Sequence, residues 1–419
     1  MGKNLAFLVV MASLSSQVMS LPTATVSNST VTNQNDKVVN TAIDNSEVNS
    51  GIKAGGSTIK NSVISNSNAN VVNTAIGQSK ANSGIKAEEA NIQNSKISNI
   101  NTNTVNTAID KSKANSGIDA QNATIKNSTI SNTNANAVNT AVGQSKANSG
   151  IDAQDATINN STVSNTSVNA VNTAINGGKA NSGIDAQNAT VNNSNISNMN
   201  ANTLNTAIGK GKANSGIDAQ NATINSSKIS NTNMAVANTV IGSGKANSGV
   251  DAQNATINNS RINNINTGTL NTVASSGKAN SGVDAQNATI KDSAINNVSA
   301  GTVNTVIGGG KANSGIDAQN ATIRNSTINN ANVAVVNTVA GGGKANSGID
   351  AENASVKNAT LNNVNAGVVN TALAGGKVNT GINLKNGSVK DTAVTNIQGR
   401  SVNIAVGGSS ANTGVDLGN

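Results

Sequence analysis

The chain contains no cysteine, histidine, tryptophan or tyrosine, and its single phenylalanine and single proline, Phe7 and Pro22, both precede the region where the sequence becomes periodic. Each absence excludes something. Without cysteine, no disulfide can stabilise the fold. Without histidine or cysteine, the commonest general base and the thiol nucleophile are missing. Helical repeats of comparable period need signature Pro, His, Trp or Tyr, so the helical reading fails as well. Arginine occurs only at Arg261, Arg324 and Arg400, and no apolar run is long enough to span a bilayer.

What the chain does have is repetition. Asparagine makes up about a fifth of it, and the stretch 24–419 divides into twelve equal 33-residue units without an insertion or deletion. The unit is plainest where Lys-Ala-Asn-Ser-Gly recurs, with its lysine at 80, 113, 146 and at the same interval onward to 344. A fixed period of this size marks a solenoid, in which each unit packs on its two neighbours. A disordered polar chain gives no reason for constant spacing.

Residues 113–145 represent the unit. Aliphatic side chains fall at Ile118, Ala120, Ala123, Ile125, Ile130, Val138 and Val142, several of them two apart, which is strand spacing. Asn115-Ser116-Gly117, the Asn-rich stretch around Asn134 and Asn136, and the glycine-rich link seen later as Gly308-Gly309-Gly310 supply turn chemistry tolerant of positive φ. The sequence therefore predicts an all-β fold, a β-solenoid of stacked β-arches with 12 rungs, one 33-residue repeat to each, and three or four strands per rung. One turn per unit is expected. The echo of Asn115 and Asn122 in Asn132 and Asn139 leaves two turns per unit, each half as long, as the alternative.

Ahead of the repeats, a basic start at Lys3, an apolar stretch from Leu5 to Leu14 and the small-residue site Val18-Met19-Ser20 read as a secretory signal peptide over residues 1–20. A short lead, 21–23, precedes the repeat domain, 24–419. The expected location is secreted, extracellular or at the cell surface, with no transmembrane segment.

Three asparagine positions are the same in every unit. The third includes Asn82, Asn115, Asn148, Asn181, Asn214 and Asn247; the twentieth, Asn66, Asn99 and Asn132; the twenty-seventh, Asn73, Asn106 and Asn139. Stacked ~4.8 Å apart, such amides can hydrogen-bond to their own copies as ladders. The competing role is to hold left-handed corners, and both require stacking. Glycine at the fifth position, Gly84, Gly117 and Gly150 among its copies, is expected at a turn. Lysine at the first position and aspartate at the seventh form two columns of opposite charge, with the order reversed at Glu47 and Lys53. An exposed, solvated charge face is the expectation there.

Carboxylates in repeated columns form no unique constellation, so the sequence reads as that of a non-enzyme with no cofactor. Metal binding is not expected either, because the calcium-binding β-roll pattern is absent. A net charge of +8, with no aromatics in the repeats and no arginine cluster, argues against nucleic acid as a partner. The sequon Asn122-Ala-Thr follows from the asparagine-rich composition.

At Val72-Asn73-Thr74-Ala75-Ile76-Gly77, echoed at Val138-Asn139-Thr140-Ala141-Val142-Gly143, the chain resembles the functional-amyloid fibre subunits of Gram-negative biofilms, the curli and Fap class. The likeness runs through the repeats, but these have sparse glutamine, no aromatics and no variable linkers. It implies a secreted structural protein that polymerises into extracellular amyloid-like fibres for matrix or attachment, with export or nucleation factors as partners. Repeat register begins at the eleventh position of a unit and stops at the tenth. A head-to-tail homopolymer is therefore expected to complete one rung, burying Val415 and Leu417 beside Val26, Val31 and Val39. The alternative is a secreted binding module for ice or glycan, using columns such as Thr124, Thr157 and Thr190. The regular Thr-x-Thr that would favour ice is absent.

Overall fold

The computed structural model describes residues 8–9, 19–20 and 25–417. Each repeat unit makes one complete turn of a coil. In the representative rung, β1 (Lys113–Asn115), β2 (Ile118–Asp119), β3 (Thr124–Lys126) and β4 (Thr129–Val142) follow one another around the turn. Every strand pairs in parallel with its own copy one unit away, as in Lys113↔Lys146, Ile118↔Ile151, Thr124↔Thr157 and Thr129↔Thr162. Among the described residues four parallel sheets result, of 12, 13, 12 and 16 strands in the order β1 to β4. The two-turn alternative is thereby excluded, because each residue is paired with its counterpart in the next whole unit and never with the residue half a unit away.

The strands are short where corners are close and long where one wall is flat. Strand β4 runs for fourteen residues, but its inward and outward faces exchange partway along. Ile130, Asn132 and Asn134 point in, and after the pair Ala135-Asn136 the inward set becomes Ala137, Asn139 and Ala141. Asn136 sits at φ 53°, so one left-handed residue bends the wall and shifts its alternation by one. In the first, fifth and last units the same point splits the strand in two, for example Thr162–Val168 and Val171–Ile175.

Two apolar columns fill the coil. The larger is built from Ile118, Ala120, Ala123, Ile125 and Ile130 and their copies, the smaller from Ala114 and Ala141 and theirs. Between them lies a polar interior of buried asparagine and serine. Val138 and Val142, which read as core positions, instead stand on the outer surface of β4. The phase shift at Asn136 puts Asn139 and Ala141 inside, and so turns these two valines out.

The expected leader, 1–20, and the lead, 21–23, lie outside the described residues except for Leu8–Val9 and Met19–Ser20. These two strands pair in parallel with Val31–Thr32 and Ile52–Lys53. Among the described residues no helix is long and apolar enough to cross a membrane.

Candidate functional site

The three asparagine columns are buried ladders. Asn139 Nδ2 donates to Asn172 Oδ1 at 2.9 Å and to Ser149 Oγ at 2.7 Å. Asn132 Nδ2 donates to Asn165 Oδ1 at 2.8 Å and to the Ser149 carbonyl at 2.6 Å. The column of the third position runs the other way: Asn148 Nδ2 donates back to Asn115 Oδ1 at 3.0 Å, while its own Oδ1 accepts from Asn181 Nδ2 and from Gly150 N, both at 3.0 Å. None of these residues has positive φ. The left-handed corners belong to other columns, those of Asn122 (φ 55°), Asn127 (φ 50°) and Asn136 (φ 53°). A fourth inward column joins Asn101 to Asn134 at 3.1 Å and is interrupted by Ser167 and Ser299. Its signal in the sequence is an asparagine two residues after the twentieth position.

Gly84, Gly117 and Gly150 do lie at a bend, between the β1 and β2 strands, but not because of positive φ. A Cβ on Gly117 would stand 2.0 Å from the Gly150 carbonyl oxygen. The fifth position is glycine because two backbones touch there.

The charge columns are also more enclosed than expected. Asp152 is fully buried in the wall and ion-paired with Lys146, whose side chain is only 15% exposed; the same pairing recurs at Lys179–Asp185 and onward to Lys344–Asp350. Gln121 Nε2 ties this zipper to the next rung through Asp152 Oδ2 at 2.6 Å. The solvated charge face is thus corrected, since the turn folds aspartate inward and lays lysine across it. The reversed pair forms too, Lys53 Nζ to Glu47 Oε1 at 3.1 Å. Burial, and after it the neighbouring ammonium groups of Lys179 and Lys113, pushes the Lys146 ammonium down to about 7. Burial followed by Lys344 does the same to Lys311, also to about 7. For Asp185, burial acts upward, but Lys179, Lys146 and Lys212 together hold it down to about 2.

Of the five residues expected where two chains meet end to end, Val26, Val31 and Val39 belong to the first rung and Val415 and Leu417 to the last. Val26 and Val31 face the interior and are 7% and 6% exposed, whereas Val39 is 69% exposed on the outer wall. Val415 and Leu417 are 41% and 63% exposed, in the columns where Ile382 and Leu384 are buried.

A concave polar surface does run along the coil at the corner between the β3 and β4 sheets. It is a groove of about 760 Å³ that crosses six rungs, from Asn160-Ser161-Thr162 to Asn325 and Thr327. Its floor is a serine ladder: Ser161 N donates to Ser194 Oγ, Ser194 N to Ser227 Oγ and Ser227 N to Ser260 Oγ, each at 3.1 Å. One rim is the left-handed column Asn160, Asn193, Ser226 and Asn259, whose φ of 47–48° swings the side chains outward. The other rim carries Thr162, Asn195, Lys228 and Arg261. Sequence reasoning passed over this column because Asn-Ser-x reads as turn composition.

The Thr124, Thr157 and Thr190 column faces outward on the β3 sheet, but its neighbour two residues on is Lys126, Asn159 or Asn192. No Thr-x-Thr array forms there. Among the described residues no cluster of carboxylates could hold a metal ion.

No family model and no curated protein matches the chain. Solved structures to which it is similar include the family 28 exopolygalacturonase of Yersinia enterocolitica, at 11% identity over 82% of this chain and 72% of that one with a TM-score of 0.28. The A-module of a mannuronan C-5 epimerase from Azotobacter vinelandii matches at 11% identity over 91% of each chain, TM-score 0.26. PfbA, a surface adhesin of Streptococcus pneumoniae, matches at 10% identity over 88% and 85%, TM-score 0.23. These comparisons correct one expectation. Two of the three are enzymes, so the reading of this chain as a non-enzyme, made from its missing histidine and cysteine, is withdrawn.

Proposed function

We propose that the chain is an extracellular or surface-borne β-solenoid module that binds a linear, polyhydroxylated polymer, a glycan, along the serine-floored groove. The observation that carries this reading is the groove itself, a shallow, open trough across six rungs with amide and hydroxyl rims and two adjacent cations, Lys228 and Arg261. Without aromatic rings to stack on sugar faces, each rung contributes only weak hydrogen bonds in competition with water. Affinity then comes from repetition, because a chain held at one rung meets the next as an effectively intramolecular partner. Binding should therefore depend on ligand length, up to the ~24 Å that five steps of ~4.8 Å span. The two cations favour glycans bearing carboxylate or sulfate.

Titration calorimetry with acidic and neutral oligosaccharides of increasing length tests this reading. Affinity should rise with length and fall about tenfold for acidic glycans in the Lys228→Ala/Arg261→Ala double variant. A chain that binds no oligosaccharide, or whose double variant binds acidic glycans as well as wild type does, overturns it.

The fibre reading has separate support in the in-register columns, which a further rung of the same sequence can extend at the same spacing. Seeded elongation, followed by microscopy and light scattering, tests it. Purified chain that never lengthens seeds would count against polymerisation.

A further inference from the structure

The motif Val-Asn-Thr-Ala-Ile divides cleanly between the two faces of the β4 wall. Asparagine and alanine point in, to the ladder and the smaller apolar column; valine, threonine and isoleucine point out. Stacking turns each outward residue into a column. The first is aliphatic in every rung, from Val39 through Leu204 to Val402, the second is threonine in all but the last, where Ile404 stands, and the third is aliphatic throughout. No charged residue interrupts the three columns. Much of this apolar surface is open to water: Leu270 is 43% exposed and Ile307 58%.

Three outward columns ~6.7 Å apart, over eleven steps of ~4.8 Å, make a face about 53 Å long and about 14–20 Å wide with its side chains. That is roughly 700–1,000 Å², above the few hundred Å² a monomer ordinarily leaves exposed and close to the ~800 Å² per partner of a standard stable interface. The face is corrugated at a constant spacing, since each rung pairs in register with the next, and Ala237, Ala274 and Ala340 notch its two aliphatic ridges. A second surface fits it best if it has the same corrugation and is equally uncharged. Its own duplicate meets both conditions, with the threonine column of one copy facing that of the other and their hydroxyls near enough to bond across.

We propose that this Val-Thr-Ile face is a self-association surface, through which a second copy of the chain packs sheet on sheet in an isologous pair. The inference does not depend on the groove reading. The groove lies beyond the bend at Asn136, at the far end of β4, so pairing leaves it open and makes the dimer bivalent toward any ligand that it holds.

Sedimentation of the full chain tests the pairing. Wild type should be dimeric at micromolar concentration, and the Thr206→Lys/Thr239→Lys variant, which places two cations on the central rungs, should dissociate at least ~100-fold more readily while keeping its circular dichroism. Because the chain has no cysteine, single cysteines report the contact directly. Thr206→Cys should form disulfide-linked dimers on mild oxidation, and Thr223→Cys, on the outer side of the β3 sheet, should not. Wild type that stays monomeric, a lysine variant that associates like wild type, or equal cross-linking by the two cysteines would each overturn the proposal.

Discussion

Asn181 shows what a single ladder residue holds. Its amide donates to Asn148, and its Oδ1 accepts from Asn214 Nδ2 and from Gly183 N, each at 3.0 Å with all partners buried. Asn181→Ala leaves three buried polar groups short of a partner, for an expected loss of about 2–3 kcal/mol. The neighbouring Ser182 is also buried, and its Oγ accepts from Asn172 Nδ2 at 2.7 Å. Ser182→Ala removes one acceptor and should cost about 1 kcal/mol. Urea midpoints of the two variants check the order, and equal midpoints would count against the ladder account. Gly183→Ala should cost more than either, at least ~3 kcal/mol, because the new Cβ would lie 2.1 Å from the Gly216 carbonyl oxygen, on backbone that cannot yield.

The members of the lysine column differ: burial acts downward, but Asp119 and Glu88 hold Lys113, and Asp218 and Asp185 hold Lys212, above the ordinary lysine value. The pH dependence near neutrality therefore comes from depressed members such as Lys146 and Lys311. Lys146 and Lys311 titrate near 7 in the fold and near 10.5 when unfolded, so between those values the unfolded chain binds more protons. Stability therefore rises as pH goes from 7 toward 10, by roughly 1 kcal/mol or more for each depressed lysine. Urea midpoints at pH 7 and 9.5 read the sign directly; a midpoint that falls over this interval contradicts the enclosed column.

At the scale of one element, the β4 strand owes its shape to its left-handed residue. In most rungs that residue is asparagine or glycine, which tolerate the conformation, but Ala235 and Ala334 adopt φ 52° and 54° there. An alanine in the left-handed region costs on the order of 1 kcal/mol. The outer amides of this column also form a ladder, with Asn202 Nδ2 donating to Asn169 Oδ1 at 3.0 Å. Ala235→Asn should relieve the backbone and extend that ladder past Asn202, stabilising the chain by about 1 kcal/mol in thermal or urea unfolding. The same bend separates groove from apolar face. One strand thus serves two surfaces of opposite character.

Across the whole molecule, one turn per unit has a consequence for deletions. Removing residues 179–211 takes out one rung and brings Lys212 into the place of Lys179, so every column closes again. Such a chain should fold with a midpoint within a few degrees of wild type, because stability in a linear array is summed over nearest-neighbour contacts. Removing 179–195, about half a turn, sets isoleucine columns against asparagine columns and should abolish cooperative unfolding. Circular dichroism melts of the two deletions distinguish one turn per repeat from any shorter period.

The period and the recurrence of aliphatic residues two apart were enough to determine an all-β coil of stacked units, and the asparagine positions common to all units were enough to mark three stacked columns, whose role as ladders and not corners the structure decided. Those properties are local or strictly repeated, and stacking turns repetition along the chain into contact in space. Only the tertiary structure decided which way each side chain faces. One left-handed residue, Asn136, shifts the alternation of β4, and that shift carries Val138 and Val142 outward while Asn139 goes in. Composition alone does not reveal it, because asparagine fills both ladders and corners throughout the unit. In the same way the role of Gly117, the burial of Asp152 and the serine floor of the groove depend on how closely one turn lies on the next. That distance is set by the packing of the coil and by no single unit of its sequence.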